Sequence, residues 1–271
     1  MTRFSPPSLI ADPALAPLPV AIDYPAALAL RQMALADDAL PKYLLAIEVS
    51  ALLHYVPDLK RQTLLATLWN CGGRINEVLA LSTSDFRLDV PQPWVQLATL
   101  KQREEKATRG AGRPRNGTAP PRIVPLSDMQ YVTQLRTLFA TLKIPAERRN
   151  RNTGRTKRVR IWDITDRTVR TWINEAVALA DADGVNFSVP VTPHTFRHSY
   201  AMHMLYAGIP LKVLQSLMGH KNISSTEVYT RVFALDVAAS HRVRFQIPGA
   251  DAVSVLKQLS PGLPGDDDHR N

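Results

Sequence analysis

Apolar residues recur every three or four positions along most of this chain, which is the spacing of one face of an α-helix. The pattern therefore predicts a mostly helical protein. Asp58, Ser127 and Asp166 stand where a side chain that caps a helix amino terminus is expected. The predicted helices span residues 25–38, 43–55, 58–71, 74–81, 128–142, 166–181, 193–207, 211–218 and 225–232.

Two short segments alternate between apolar and polar residues instead, as a β-strand with one buried face does. They are residues 94–101 (WVQLATLK) and 121–126 (PRIVPL), and we expect them to pair as an antiparallel hairpin. The predicted fold class is therefore mainly α with a small antiparallel β-sheet, an α+β arrangement. Residues 103–122 and 147–160 are rich in Gly, Pro and Arg without an apolar period, so we expect exposed loops there.

Positive charge is concentrated in the middle of the chain, whose formal net charge is +9. Residues 1–50 hold three Lys or Arg against five Asp or Glu, whereas residues 101–170 hold eighteen against six. This surplus favours a polyanionic partner, DNA or RNA, although basic loops can also be solvated surface and nothing more. The candidate DNA-binding residues are Arg103, Lys106, Arg109, Arg113, Arg155, Lys157 and Arg158.

Membrane, disulfide and metal functions find little support. Six prolines interrupt the apolar first 25 residues, which argues against a signal peptide or a membrane span and leaves the cytoplasm as the expected location. Cys71 is the only cysteine, so an intrachain disulfide and a cysteine-based zinc site are excluded. His194, His198 and His203 have no carboxylate or thiolate beside them, so no metal site is predicted.

The segment from residue 192 to residue 231 carries side chains suited to a phosphate. Thr192 and Pro193 mark a helix start, which places His194 and Arg197 in the first turn. These two residues are three apart and share one face. The amino-terminal end of a helix already favours an anion, and a guanidinium fork strengthens that preference. We therefore expect an anion site there.

Two further residues extend this site along the chain. Gly219 ends the next short helix, His220 follows it directly, and Tyr229 lies nine residues beyond His220. One phenol is thus predicted to face two imidazoles and a guanidinium, which is typical of a phosphodiester-cutting site. His198 is interpreted as a packing residue or a phosphate contact.

This ordered set resembles the tyrosine recombinases of the phage-integrase family. Their signature is His-x-x-Arg, a Gly-His about two dozen residues on, and a nucleophilic Tyr nine residues after that, as here. Their earlier Gly-Arg-x-x-Glu-x-x-x-Leu pattern also occurs, at residues 73–81, and the hairpin between the two blocks supplies the expected Lys. The resemblance covers roughly residues 43–233. The matching catalytic positions are Arg74, Lys101, His194, Arg197, His220 and Tyr229.

The resemblance implies how the reaction proceeds. Tyr229 would attack a DNA phosphorus and form a 3′-phosphotyrosyl link, which a 5′-hydroxyl from another strand attacks in turn. His194 would assist removal of the phenol proton. Lys101 would protonate the departing 5′ oxygen, with Lys106 as the alternative general acid. The reaction needs no cofactor.

The resemblance also implies how the phosphate is held. Arg74 and Arg197 would bind its non-bridging oxygens from two sides, and His220 would add a hydrogen bond. Glu77 would orient the neighbouring side chains.

Domains, partners and biological role follow from the same resemblance. The expected organisation is a proline-rich extension with at most a minimal DNA-binding helix (1–41), a catalytic domain (42–240) and a tail with a subunit-contact helix (241–271). The expected partner is double-stranded DNA with a specific recombination site, bound by a homotetramer, and accessory proteins are compatible with this scheme. Resolution of plasmid multimers is the favoured role. DNA inversion, topoisomerase-like relaxation and a non-catalytic DNA-binding repressor remain alternatives.

Overall fold

The structure is a computed structural model of the 271-residue chain, and it describes residues 40–98, 121–149, 154 and 156–231. The chain divides into two compact units, Met1–Asp236 and Val237–Asn271, and every described residue lies in the first. The predicted helix at 25–38 and the predicted helix of the tail lie outside the described residues.

The helices predicted within the described residues are confirmed, with ends that differ by a few positions. In chain order they are α1 (Ala46–His54), α2 (Leu59–Cys71), α3 (Ile75–Leu79), α4 (Met129–Leu142), α5 (Asp166–Ala182), α6 (Pro193–Tyr206), α7 (Leu211–Met218) and α8, which the structure describes over residues 224–231. No helix among these described residues is long and apolar enough to cross a bilayer.

Two of the three predicted helix caps were wrong by one residue. Asp58 caps α2 as predicted, since its side chain accepts a hydrogen bond from the Arg61 amide. The cap of α4 is Asp128 rather than Ser127, because the Asp128 carboxylate accepts from two amides of the first turn. The cap of α5 is Thr165 rather than Asp166, which lies inside the first turn.

The predicted hairpin is confirmed as part of a three-stranded antiparallel sheet. Its strands are β1 (Phe86–Arg87), β2 (Trp94–Leu97) and β3 (Arg122–Pro125), in the order β1-β2-β3. In the β2–β3 register, Val95 lies opposite Val124, and both are buried. Strand β1 has only two residues, too few to form a pattern that sequence could reveal.

A second hairpin lies where the sequence predicted only an exposed loop. Strands β4 (Glu147–Arg149) and β5 (Thr156–Arg158) pair antiparallel, and all six of their residues are exposed. The prediction was wrong because this hairpin buries no apolar face and so has no alternating pattern. Arg158 anchors it to the domain, through Asp85 at 2.5 Å and the Ser82 hydroxyl at 2.6 Å.

The core forms where α2 packs against α4 and α6. Leu64, Leu65 and Leu68 of α2 are fully buried, and each such side chain stabilises the fold by roughly 1.5–3 kcal/mol. Trp162 is also buried, and its indole N–H donates to the Lys60 carbonyl at 3.0 Å. This packing fixes the carboxyl end of α2 against α6, where the signature residues of the sequence lie.

Candidate active site

The turn after α2 joins two parts of the signature. Gly72 has a positive φ of 57°, which glycine adopts without strain, and a Cβ at this position would overlap the ring of Tyr200. The Gly72 carbonyl accepts a hydrogen bond from Nη1 of Arg197 at 2.6 Å. The sequence therefore needs glycine here for the turn and for the packing against Tyr200.

Arg74 and Glu77 are linked twice across the first turn of α3. The Arg74 backbone N–H donates to Oε2 of Glu77 at 2.9 Å, and Nη1 of Arg74 donates to Oε1 at 3.1 Å. Glu77 is only 1% exposed. Burial acts to raise its pKa, but Arg122 and Arg74 outweigh that effect and hold the pKa below its usual value. Glu77 is therefore ionised at neutral pH and orients Arg74.

Arg197 is buried in the centre of the site, with 3% of its surface exposed. Its Nη2 donates to the Met218 carbonyl at 2.8 Å, so Arg197 ties the end of α7 to the Gly72 turn. Burial and the nearby charge of Arg74 lower the pKa of Arg197 to about 10, which leaves the guanidinium charged at neutral pH. Buried arginine of this kind favours an anionic partner.

Arg122 is a third guanidinium at this site, and it was not among the predicted site residues. It lies on β3, where its Nη2 donates to Oε2 of Glu77 at 2.6 Å. The signal was present in the strand, because alternation points Arg122 inward and leaves the apolar Ile123 55% exposed. An arginine at an inward position indicates a polar contact inside the protein.

His220 lies just past the end of α7. Gly219 takes a left-handed conformation with a φ of 63° and ends the helix as predicted. Nδ1 of His220 lies 2.8 Å from the Thr226 hydroxyl, so α8 holds the ring in place. Burial and the positive charge of Arg197 lower the pKa of His220 to about 4, which keeps the imidazole neutral.

Tyr229 is buried on α8, with 2% of its surface exposed. Its hydroxyl lies 2.9 Å from Nδ1 of His198. Burial raises the pKa of Tyr229 to about 12, although Arg197 and Arg74 act to lower it. In this arrangement the phenol is protonated at neutral pH.

The two histidines of α6 form a pair beside this phenol. The rings of His194 and His198 meet edge to face with their centroids 4.2 Å apart. Burial and the charge of His194 lower the pKa of His198 to about 3, and burial and Arg197 lower the pKa of His194. His198 was predicted only as packing or a phosphate contact. Its position four residues after His194 was the available signal that it shares the same face.

Several of the predicted site residues cannot be placed, because they fall outside the described part of the chain. The proposed general acid and its alternative, and most of the predicted DNA contacts, lie outside the described residues, namely Lys101, Arg103, Lys106, Arg109, Arg113 and Arg155. Lys157 and Arg158 lie on the β4–β5 hairpin. No cluster of three His, Cys, Asp or Glu that could hold a metal occurs among the described residues.

A comparison with protein families matches residues 42–235 to the phage integrase family. The chain belongs to the phage integrase family. The chain is 76% identical over 245 residues to a resolvase of Escherichia coli strain K12, a match that covers 90% of this chain and 91% of the relative. It is 46% identical over 247 residues to a probable site-specific recombinase in the afa region of Escherichia coli, covering 91% of this chain and 93% of the relative.

The integrase fold is also found among solved structures. The crystal structure of XerA recombinase matches 76% of this chain and 67% of its own, with a TM-score of 0.53 and 20% identity. That likeness concerns the fold alone. The family resemblance and the fold class predicted from sequence are both confirmed.

Proposed function

We propose that this tyrosine recombinase cuts and rejoins DNA through Tyr229, with Arg74 and Arg197 as the clamp that binds the phosphate. The supporting observation is the excess of positive charge around Glu77. Among the described residues, Arg74 and Arg122 bind one carboxylate, that of Glu77, and Arg197 lies close enough to feel its charge. Three positive charges against one negative charge leave two in excess, which is costly in a mostly buried site unless an anion binds.

The excess positive charge suits the proposed reaction, because the substrate phosphate is negatively charged. A DNA phosphodiester carries one negative charge, and its pentacoordinate transition state carries more. Preorganised guanidinium groups stabilise that additional charge without reorganising during the reaction. Arg74, whose side chain is 32% exposed, and Arg197 are proposed to bind the non-bridging oxygens, and His220 to add a hydrogen bond.

The proposed first step replaces one ester bond with another. The Tyr229 oxygen bonds to phosphorus while the bond from phosphorus to the 5′ oxygen breaks. His194 assists removal of the phenol proton, and Lys101 gives a proton to the departing oxygen. A 5′-hydroxyl from another strand reverses these events, so strands are exchanged without a cofactor. Arg197 and Arg74 act to lower the pKa of the phenol, which favours the phenolate that attacks phosphorus.

The proposed substrate is double-stranded DNA with a specific recombination site, and the proposed assembly is a homotetramer, since two duplexes offer four cleavable strands. We infer that the protein acts in the cytoplasm, where the DNA of a bacterial plasmid lies. Resolution of plasmid multimers is the role we favour, and the similarity to a protein named resolvase supports it. Accessory proteins would fit such a role.

A nicked DNA substrate tests the chemistry. Loss of the short leaving strand should trap wild-type protein as a covalent adduct on a denaturing gel, and Tyr229→Phe should form none while it binds DNA within a few-fold. An adduct with the Phe variant would disprove the nucleophile assignment. EDTA should leave the wild-type rate unchanged. Plasmids with two sites in direct or inverted orientation separate resolution from inversion, because a resolvase yields two circles from direct repeats.

A further inference from the structure

Arg122 occupies an unusual position on β3. It is 8% exposed, next to Leu97 of β2 in the strand register, at the edge of a sheet whose inward side chains are otherwise apolar. A buried guanidinium costs free energy unless its donors are bound, so simple packing does not account for this arginine. Its hydrogen bonds connect it to two other parts of the site, Glu77 and the end of α7.

One contact leads to Arg74. Nη2 of Arg122 donates to Oε2 of Glu77 at 2.6 Å, and that same oxygen accepts the Arg74 backbone N–H at 2.9 Å. The other oxygen of Glu77 accepts from the Arg74 guanidinium. Glu77 is therefore fixed from both sides, and a displacement of Arg122 would move the carboxylate that orients Arg74.

The other contact leads to His220. Nε of Arg122 donates to the Leu217 carbonyl at 2.8 Å, and Arg197 binds the next carbonyl, that of Met218. These carbonyls lie at the carboxyl end of α7, which carries partial negative charge and lacks helical partners. Two arginines from different elements, Arg122 of β3 and Arg197 of α6, thus hold the last turn of α7. His220 lies only two residues after Met218, so its position depends on that turn.

The third donor of Arg122 is unbound. Nη1 is buried and has no hydrogen-bond partner among the described residues. It lies against Gly219, where a Cβ would be 3.1 Å away. Because Gly219 has no side chain, the guanidinium of Arg122 has room to pack against it. The Nη1 group of this guanidinium keeps no hydrogen-bond partner among the described residues.

We propose that Arg122 is a positioning residue for DNA cleavage, which sets Arg74 and His220 at a fixed separation by binding Glu77 and the end of α7 with one rigid fork. The proposal rests on the function proposed above. Lysine at this position would keep the charge but could not bind both acceptors in the same plane.

A double-mutant cycle tests this role. Arg122→Lys and Glu77→Gln should each lower single-turnover cleavage at saturating DNA by at least about tenfold and leave DNA affinity within about threefold. The double variant should cleave no more than about twofold slower than the worse single variant, because both changes break one chain of contacts. Arg136→Lys is the matched control, since Arg136 also binds a carbonyl, that of Leu88, away from the site.

A second pair of variants disturbs Arg122 without replacing it. Gly219 and Gly208 both have positive φ, 63° and 79°, but nothing lies within 4 Å of a Cβ at Gly208. Alanine at either position carries a backbone strain of about 1–2 kcal/mol. Only Gly219→Ala should lower the cleavage rate at a temperature where both proteins are fully folded. This pair keeps the test valid if Arg122→Lys fails to fold.

Three outcomes would overturn the positioning role: cleavage by Arg122→Lys at the wild-type rate, losses that multiply in the double variant, or equal rates for the two alanine variants. A failure of the proposed function looks different, because wild-type protein would then form no Tyr229 adduct on nicked DNA. Adduct formation by wild type together with an unaffected Arg122→Lys would remove this inference alone.

Discussion

The hydroxyl of Tyr229 is hydrogen-bonded to Nδ1 of His198, with the two atoms 2.9 Å apart. The pKa of the phenol is about 12 and the pKa of the imidazole is about 3, so transfer of the proton to His198 is strongly unfavourable. His198 therefore holds a protonated phenol and does not activate it. The proposed nucleophile has to leave this buried position, or exchange its partner, before it can attack DNA.

Two buried histidines, His198 and His220, make stability depend on pH. The pKa of His198 is about 3 and that of His220 about 4 in the folded chain, below their usual value, so both are neutral in the fold. Their contribution to the free energy of unfolding is complete above the unfolded-state pKa of about 6.5 and is lost as pH falls toward the folded values. Each lowers stability by at most about 1.4 kcal/mol per pH unit in that window.

Urea denaturation between pH 7 and pH 5 measures this effect. His198→Phe should have a shallower dependence of unfolding free energy on pH than wild type, because one of the titrating groups is gone. An unchanged slope in His198→Phe would show that folding does not lower the pKa of His198.

Substitution of the clamp arginines should separate binding from cleavage. Arg74→Lys and Arg197→Lys are each expected to slow cleavage by at least about a hundredfold, because lysine lacks the planar fork that binds two phosphate oxygens. Arg197→Lys should also lower the melting temperature, since it loses hydrogen bonds to Gly72 and Met218. Single-turnover gel assays measure the first effect. The control is Arg61→Lys on α2, which should cleave DNA at the wild-type rate. Rates near wild type for both Arg74→Lys and Arg197→Lys would argue against the clamp.

The β4–β5 hairpin offers a test of DNA contact. Arg148 and Lys157 lie directly opposite each other and are exposed, and like charges in this arrangement repel unless an anion lies between them. Lys157→Ala should lower the slope of log affinity against log salt concentration by about 0.9, the value for one phosphate contact. Arg158→Ala should instead release the hairpin from Asp85 and raise its amide hydrogen exchange. Equal salt slopes for Lys157→Ala and wild type would exclude this contact.

The predicted subunit contact in the tail makes tetramer formation testable. Deletion of residues 249–271 should spare DNA binding and prevent a tetramer on DNA that carries two recombination sites, because the apolar run AVSVLKQL is the predicted subunit contact. Free protein should be monomeric, since its net charge of +9 opposes association until DNA phosphates neutralise it. Light scattering gives the mass of each complex. A full tetramer with normal recombination after deletion would remove the tail from the mechanism.

Short sequence patterns correctly predicted features that depend only on adjacent residues. Pro193 and Thr192 begin α6, and Gly219 ends α7, because caps and left-handed turns depend on a few adjacent residues. The spacing from His220 to Tyr229 was likewise visible, and the structure gathers both around Arg197. The proposed catalytic residues of this segment were therefore visible as a short-range pattern, and their roles stay a prediction.

Contacts between distant segments could not be predicted in the same way. Arg122 reaches Glu77 across 45 residues, and His198 meets Tyr229 across 31. Nothing in the neighbouring sequence specifies these partners, since they depend on how β3, α3 and α8 pack. The β4–β5 hairpin was missed for a related reason, because its stability comes from Arg158 and not from apolar burial.

The buried thiol of Cys71 makes this chain convenient for spectroscopy. Cys71 is the sole cysteine, it lies in the core at the end of α2, and burial raises its pKa to about 11. Maleimide reagents react with thiolates, so they should not modify the buried, protonated Cys71 in the folded protein. A cysteine introduced at the exposed Glu227 of α8 would then take a fluorophore selectively, and its emission could follow the Tyr229 helix as DNA arrives without any change to the native cysteine.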